Sequence, residues 1–253
     1  MNNSIKTSLV FLLQILMIPG WNAKVTAQPF DSTGIKSLLE KVHQTYHQAD
    51  HLSFSVKYLY ADANQRQGPL DSLVGEIQLD KERCRMILDN TESIVTDKYA
   101  IRVIDENKLI YISGKPATAM PDLLGMTDSL LAHVRSLQIR QEGGRRILRV
   151  ELPPGLAYNR VEMTVDTATG FLQRVVYSVH TADLVGREMV ARDGHPGAYQ
   201  PEGTITVLFG KYEHGRFDDA LFDETKYFTR SDGHFQPTGR YKNYQIFLAS
   251  SNL

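Results

Sequence analysis

What most constrains this chain is a change of period. Apolar residues at Ile35, Leu38, Leu39, Val42 and Tyr46 fall on one helical stripe, with Lys36, Glu40, Lys41, Gln44 and Gln48 on the other side. Asp31-Ser32-Thr33 can cap such a stripe, so a helix is expected at 31–49. The period then drops to two: Phe54, Val56, Tyr58 and Tyr60 alternate with Ser53, Ser55, Lys57 and Leu59. Alternation returns at 73–79, 83–88, 93–96, 99–104 and 109–113, the last two joined by the turn formers Asp105-Glu106-Asn107. It returns again at 136–141 and 146–152 around Gly143-Gly144, and at 160–165 and 172–179 around Thr167-Ala168-Thr169-Gly170. Strands at 204–209 and 241–248 complete the series. The expected fold is mainly β within an α+β class, with roughly ten or more antiparallel strands and one N-terminal helix. Such a sheet has to cover its apolar face, and curling around the first helix would do so.

Two segments break the alternation. Between 115 and 134 stand Pro116, Met120, Pro121, Leu123, Leu124, Met126, Leu130 and Leu131, with few charges, which predicts one or two short helices. The stretch 181–203 carries Gly and Pro without periodicity and is expected to be a loop.

The first residues are of another kind. A basic start through Lys6 precedes an apolar run from Leu9 to Ile18, then Pro19-Gly20, and Val25-Thr26-Ala27 offers small or modest side chains where a signal peptidase reads. Residues 1–27 are therefore expected to be a secretory signal, cleaved before Gln28, with one domain at 28–253. A bilayer crossing needs about 20 apolar residues, more than this run has. Cys84 is the sole cysteine, so neither an N-terminal lipid anchor nor an internal disulfide is expected. The expected location is the periplasm. With 28 basic and 29 acidic residues the chain has no global field toward nucleic acid, so no nucleic-acid partner is expected. The 12 Tyr and 10 Phe suit a sheet with one strongly apolar face.

Particular stretches resemble the LolA-like superfamily of periplasmic lipoprotein carriers and outer-membrane lipoprotein-sorting proteins. They are Leu73-Val74-Gly75-Glu76-Ile77-Gln78-Leu79 followed by Lys81-Glu82-Arg83; Ile104 to Tyr111; Met163-Thr164-Val165-Asp166 through Gly170; and Gly210-Lys211-Tyr212 through Asp218 to Phe222. Their order across about 30–225 carries the likeness. The resemblance implies a curved, incomplete antiparallel β-barrel, enclosing or capped by the N-terminal helix and a short helical lid. Its apolar hollow would receive lipid, lipoprotein acyl chains or another apolar ligand without chemistry and without a cofactor. The carriers hold their lid with an arginine in a basic-proline pair after the second strand. Here Lys81 stands at that place with Glu82 after it, so Lys81 is the latch candidate.

Met120, Leu123, Leu124, Met126, Leu130 and Leu131 form the candidate lid, because thioethers and leucines repack around a variable chain. Tyr58, Tyr60, Ile77, Leu79, Ile101 and Val103 are candidates for the cavity wall, although alternation alone does not say which face is concave. His43, His47 and His51 recur at helical spacing but lack carboxylate or cysteine companions, and read as a solvated flank. His180 with Asp183, and His195 or His214 near acids, stand in no catalytic order, and Cys84 reads as a small hydrophobe. Asp218, Asp219, Asp223 and Glu224 do not match a calcium loop. No catalytic or metal site is expected. The expected function is a non-enzymatic periplasmic carrier or sensor of lipid or acyl chains, monomeric, with an envelope membrane protein as a further partner. The alternative is an envelope adaptor whose barrel is filled by its own side chains, and a hydrolase ranks last.

Overall fold

The computed structural model describes residues 32–62, 68–116, 134–156, 158–181, 184 and 201–249. Helix α1 spans Ser32–His47. The strands are β1 (Leu52–Asp62), β2 (Asp71–Asp80), β3 (Arg83–Leu88), β4 (Thr91–Val95), β5 (Tyr99–Ile104), β6 (Leu109–Gly114), β7 (Ser136–Glu142), β8 (Arg145–Glu151), β9 (Arg160–Asp166), β10 (Leu172–His180), β11 (Glu202–His214), β12 (Phe228–Ser231), β13 (His234–Pro237) and β14 (Gln245–Leu248). Twelve of them form one sheet in the order β14-β6-β5-β4-β3-β2-β1-β11-β10-β9-β8-β7, while β12 and β13 pair separately. The sheet is open: among the described residues β14 and β7 end the order and nothing joins them into a closed barrel.

Three expectations are corrected. The final strand is shorter than expected and is not antiparallel: β14 lies parallel to β6, with Phe247 beside Tyr111 and Ile246 beside Ile110. No turn links these two strands, so nothing local demanded antiparallel pairing. Strand β11 runs five residues past the expected end at Phe209, through Lys211, whose φ of 53° places a left-handed residue within the strand and interrupts the alternation. The β12–β13 hairpin was not expected at all, although Asp232-Gly233, both with positive φ, supply the dipeptide that a two-residue turn requires.

By internal contacts the described residues fall into two compact units, one within 1–42, 57–72 and 124–208, the other within 43–56, 73–123 and 209–253. In the first, β7 to β11 form an antiparallel meander. Ile35, Leu38, Leu39 and Val42 of α1 are buried, as the stripe predicts. The Lys41 ammonium donates to the Thr167 carbonyl at the β9–β10 turn. Asp166 shapes that turn, accepting from the Ala168 and Thr169 amides and the Thr169 hydroxyl, and Gly170 supplies the positive φ of 79°. These bonds, those to Thr169 foremost, hold the Asp166 carboxyl below its ordinary value.

In the second unit, β2 to β6 form an antiparallel meander extended by β14. The chain after β11 folds back as a strap, residues 217–246, of short 3₁₀ turns and the β12–β13 hairpin. Tyr46, at the end of α1, packs edge-on to Phe54, 5.6 Å between ring centres, and shares a 2.7 Å phenol–phenol hydrogen bond with Tyr212.

Candidate functional site

Adjacent strands place directly paired residues on the same side of a sheet, so the registers of the second unit sort its side chains into two faces. On one face lie Ile94, Ile101, Val103, Ile110 and Ile112, all at most 1% exposed. Phe222, Tyr227, Phe228 and Tyr241 of the strap pack against them, with Phe217, Leu221, Phe235 and Tyr244 around the rim. This face is filled by the chain's own residues.

One buried carboxylate fastens the seal. Glu92, 9% exposed, accepts from Arg85 Nε at 2.7 Å, from the Tyr227 phenol at 3.1 Å and from the Tyr241 phenol at 3.3 Å, with the Arg240 guanidinium at 3.5 Å. A charge taken out of water needs such a full set of partners. Burial pushes the Tyr241 phenol up to about 12 and raises that of Tyr227 as well, with Glu92 adding to both. A second fastening comes from Arg83, which binds buried Asp80, reaches Asp219 of the strap at 2.8 Å and lies 4.6 Å over the Phe222 ring.

Among the described residues the opposite face is not filled this way. Its central row runs Ile77, Met86, Ser93, Arg102, Tyr111, Phe247 across β2, β3, β4, β5, β6 and β14. The rows beside it hold Leu79, Cys84, Val95, Ala100 and Ser113, and Gly75, Leu88, Thr91, Ile104, Leu109 and Gln245. Most of these are half-buried; Tyr111 is 37% and Phe247 39% exposed, their rings stacked 5.4 Å apart. Gly75 lets β2 and β3 close up here: a Cβ at that position would stand 2.2 Å from the Ile87 carbonyl oxygen. Burial pushes the Cys84 thiol up to about 12, which leaves it un-ionised at neutral pH.

Arg102 is the only charged side chain among the cross-paired positions of this face. Desolvation draws its guanidinium below its ordinary value, opposed in part by the neighbouring Tyr111. No ion pair or hydrogen bond engages that guanidinium among the described residues. Ser93, directly across from it, has a buried hydroxyl with no partner.

The candidate wall residues are thus divided. Ile77 and Leu79 lie on the half-open face, whereas Ile101 and Val103 lie on the sealed one, inside the strap cluster. Tyr58 and Tyr60 belong to the first unit, with Tyr158 and Tyr177, whose rings are 4.9 Å apart; burial raises all four phenols. The lid candidates Met120, Leu123, Leu124, Met126, Leu130 and Leu131 lie outside the described residues, as do Asp183 and His195. Lys81 is exposed in the β2–β3 turn at a φ of 56°, and the latch-like contact from this turn to the strap is made by Arg83. His43 and His47 touch edge to edge at 5.1 Å. His51 stacks edge-on to Phe217, its Nδ1 3.2 Å from Asp80 yet not aligned for a hydrogen bond. Among the described residues no group of three or more His, Cys, Asp or Glu could hold a metal ion, and no helix is long and apolar enough to cross a membrane. Sequence reasoning passed over Arg102 and Ser93. The available signal was an arginine in the middle of Tyr99-Ala100-Ile101-Arg102-Val103-Ile104.

No protein-family model matches the chain, and no curated protein does. Solved structures resemble it. An uncharacterized conserved protein from Thermus thermophilus is 10% identical with a TM-score of 0.48, covering 85% of this chain and 99% of that one. A LolA superfamily protein from Nitrosomonas europaea is 10% identical with a TM-score of 0.32, over 75% and 97% of the two chains. A putative outer membrane lipoprotein-sorting protein domain from Vibrio parahaemolyticus is 7% identical with a TM-score of 0.36, over 75% and 96%.

Proposed function

We propose that this is an exported, periplasmic, non-enzymatic binding protein that shelters a lipid or acyl chain on the half-open face of the second unit's sheet. One observation carries the reading: both faces of the same strands bear many apolar side chains, and the strap fills only one of them. An antiparallel sheet ordinarily packs one face and solvates the other with polar residues. A face lined by Ile77, Met86, Leu88, Val95 and Ile104 instead gains about 0.8 kcal/mol for each CH₂ of a guest that it removes from water.

The test is the protein as purified from a bacterial envelope. Native mass spectrometry and solvent extraction should recover co-purifying lipid, and a fluorescent fatty acid should bind saturably. Absence of both would overturn the reading. Export is read from the signal-like residues 1–27, and N-terminal sequencing of the envelope protein should begin at Gln28.

An envelope adaptor is the second reading, favoured by the sealed face alone. An adaptor keeps its protein partner in pull-downs when Ile77 and Met86 are made polar, whereas a carrier loses lipid uptake in the same variant.

A further inference from the structure

The unsealed face carries one charge, and its surroundings ask for a particular kind of guest. Elsewhere in the unit, buried or half-buried charges are satisfied: Arg85 has Glu92 at 2.7 Å, and Arg83 has Asp80 and Asp219. Among the described residues Arg102 has no such acid, although its guanidinium is partly withdrawn from water. A guanidinium presents five donors in a flat fork matched to carboxylate and phosphate oxygens, so a half-buried one without an acid partner is suited to receive such a group. Beside it on β4, the Ser93 hydroxyl is buried and also lacks a partner. On β6, Tyr111 stands on its other side. Donors without acceptors therefore meet at one point of a mostly apolar surface, the arrangement complementary to a molecule that has an apolar body and one anionic end.

We propose that Arg102 and Ser93 form the head-group site of the bound amphiphile, Arg102 receiving a carboxylate or phosphate oxygen pair and Ser93 donating a further hydrogen bond, while the hydrocarbon lies over Ile77 and Met86. This rests on the reading of the half-open face as a lipid site and narrows it to anionic lipids.

The decisive comparison uses the mature chain with ligands of one length: palmitate, hexadecyl phosphate and hexadecanol, beside acetate and inorganic phosphate, each competed against a fluorescent fatty acid. The two anionic amphiphiles should bind about tenfold more tightly than hexadecanol, as a charge-assisted pair in a partly dry site implies. Acetate and phosphate should not compete at the same concentrations. Arg102→Gln should bring palmitate to within about twofold of hexadecanol and leave hexadecanol unchanged, while Arg102→Lys should keep part of the preference through its charge. Equal binding of palmitate and hexadecanol by the unaltered protein overturns the head-group site but leaves the lipid site standing, and this arm needs no variant to fold. Binding of neither overturns both. Competition by free phosphate as strong as that by hexadecyl phosphate overturns the lipid head in favour of a soluble anion site.

Discussion

The two faces of the β2–β6 sheet grow from the same backbone and end differently. One places Glu92 among isoleucines and surrounds it with Arg85, Tyr227 and Tyr241; the other places Arg102 among Met86, Ala100 and Ile104 and gives it no acid. The strap tells them apart. It brings aromatic rings to the first face and, with Arg83 and Asp219, its own fastening. The lesson is that a charge inside an apolar face belongs to folding where its partners are built into the chain, and is available to a guest where they are not.

The largest test of this contrast removes a ring from each side. Phe222 is 5% exposed, in the sealed cluster and under the Arg83 guanidinium, so Phe222→Ala should destabilise by about 3–5 kcal/mol through lost burial and a cavity. Phe247→Ala, at 39% exposure, should change stability by less than about 1 kcal/mol. Urea unfolding of both variants measures this, and comparable losses would mean that the second face is a folding core too. Next come the two charges. Glu92→Ala takes from Arg85 its acid and from two phenols a shared acceptor, and should cost about 3 kcal/mol. Arg102→Gln removes a cation that has no ion-pair partner and should be neutral within about 0.5 kcal/mol, which thermal unfolding will show. A large loss for Arg102→Gln would make the arginine structural.

How much of this could be read beforehand follows from what alternation encodes. Within a strand it ties Ile101 to Val103 and Ile77 to Leu79, and these pairs do share their faces. It says nothing about the relation between pairs, because the length of each turn sets which residues of neighbouring strands stand opposite. The two-residue turn Lys81-Glu82 pairs Asp80 with Arg83, so Ile77 stands beside Met86, and counting on through β4 puts Ile77 on the side of Arg102 rather than of Ile101. Four residues expected on one wall were thereby divided between two. The strap was harder still. Its Tyr227, Phe228 and Tyr241 show no regular period, and β14 pairs with β6 across more than a hundred residues without a connecting turn. Helix α1, by contrast, was legible nearly to the residue, since a stripe is a property of one segment alone.

The smallest expected effect is electrostatic and concerns the strap's outer fastening. The Arg83 guanidinium, first by its hydrogen bond and then by its charge, holds the Asp219 carboxyl below the ordinary 3.8. A carboxyl whose folded value is depressed binds fewer protons than it does in the unfolded chain. Its contribution is therefore whole above the unfolded value and is lost as the pH falls through the folded one. Asp219 is exposed, so solvent screens the pair and the change is modest. Urea midpoints followed from about pH 5 to about pH 2 should fall less steeply for Asp219→Asn than for the unaltered protein. Part of the slope should survive, because Thr225 depresses Asp223 in the same strap by donating to its carboxylate. Identical slopes would show that Arg83 steadies the sealed face through buried Asp80 and the Phe222 ring alone, and that the strap's exposed fastening is idle.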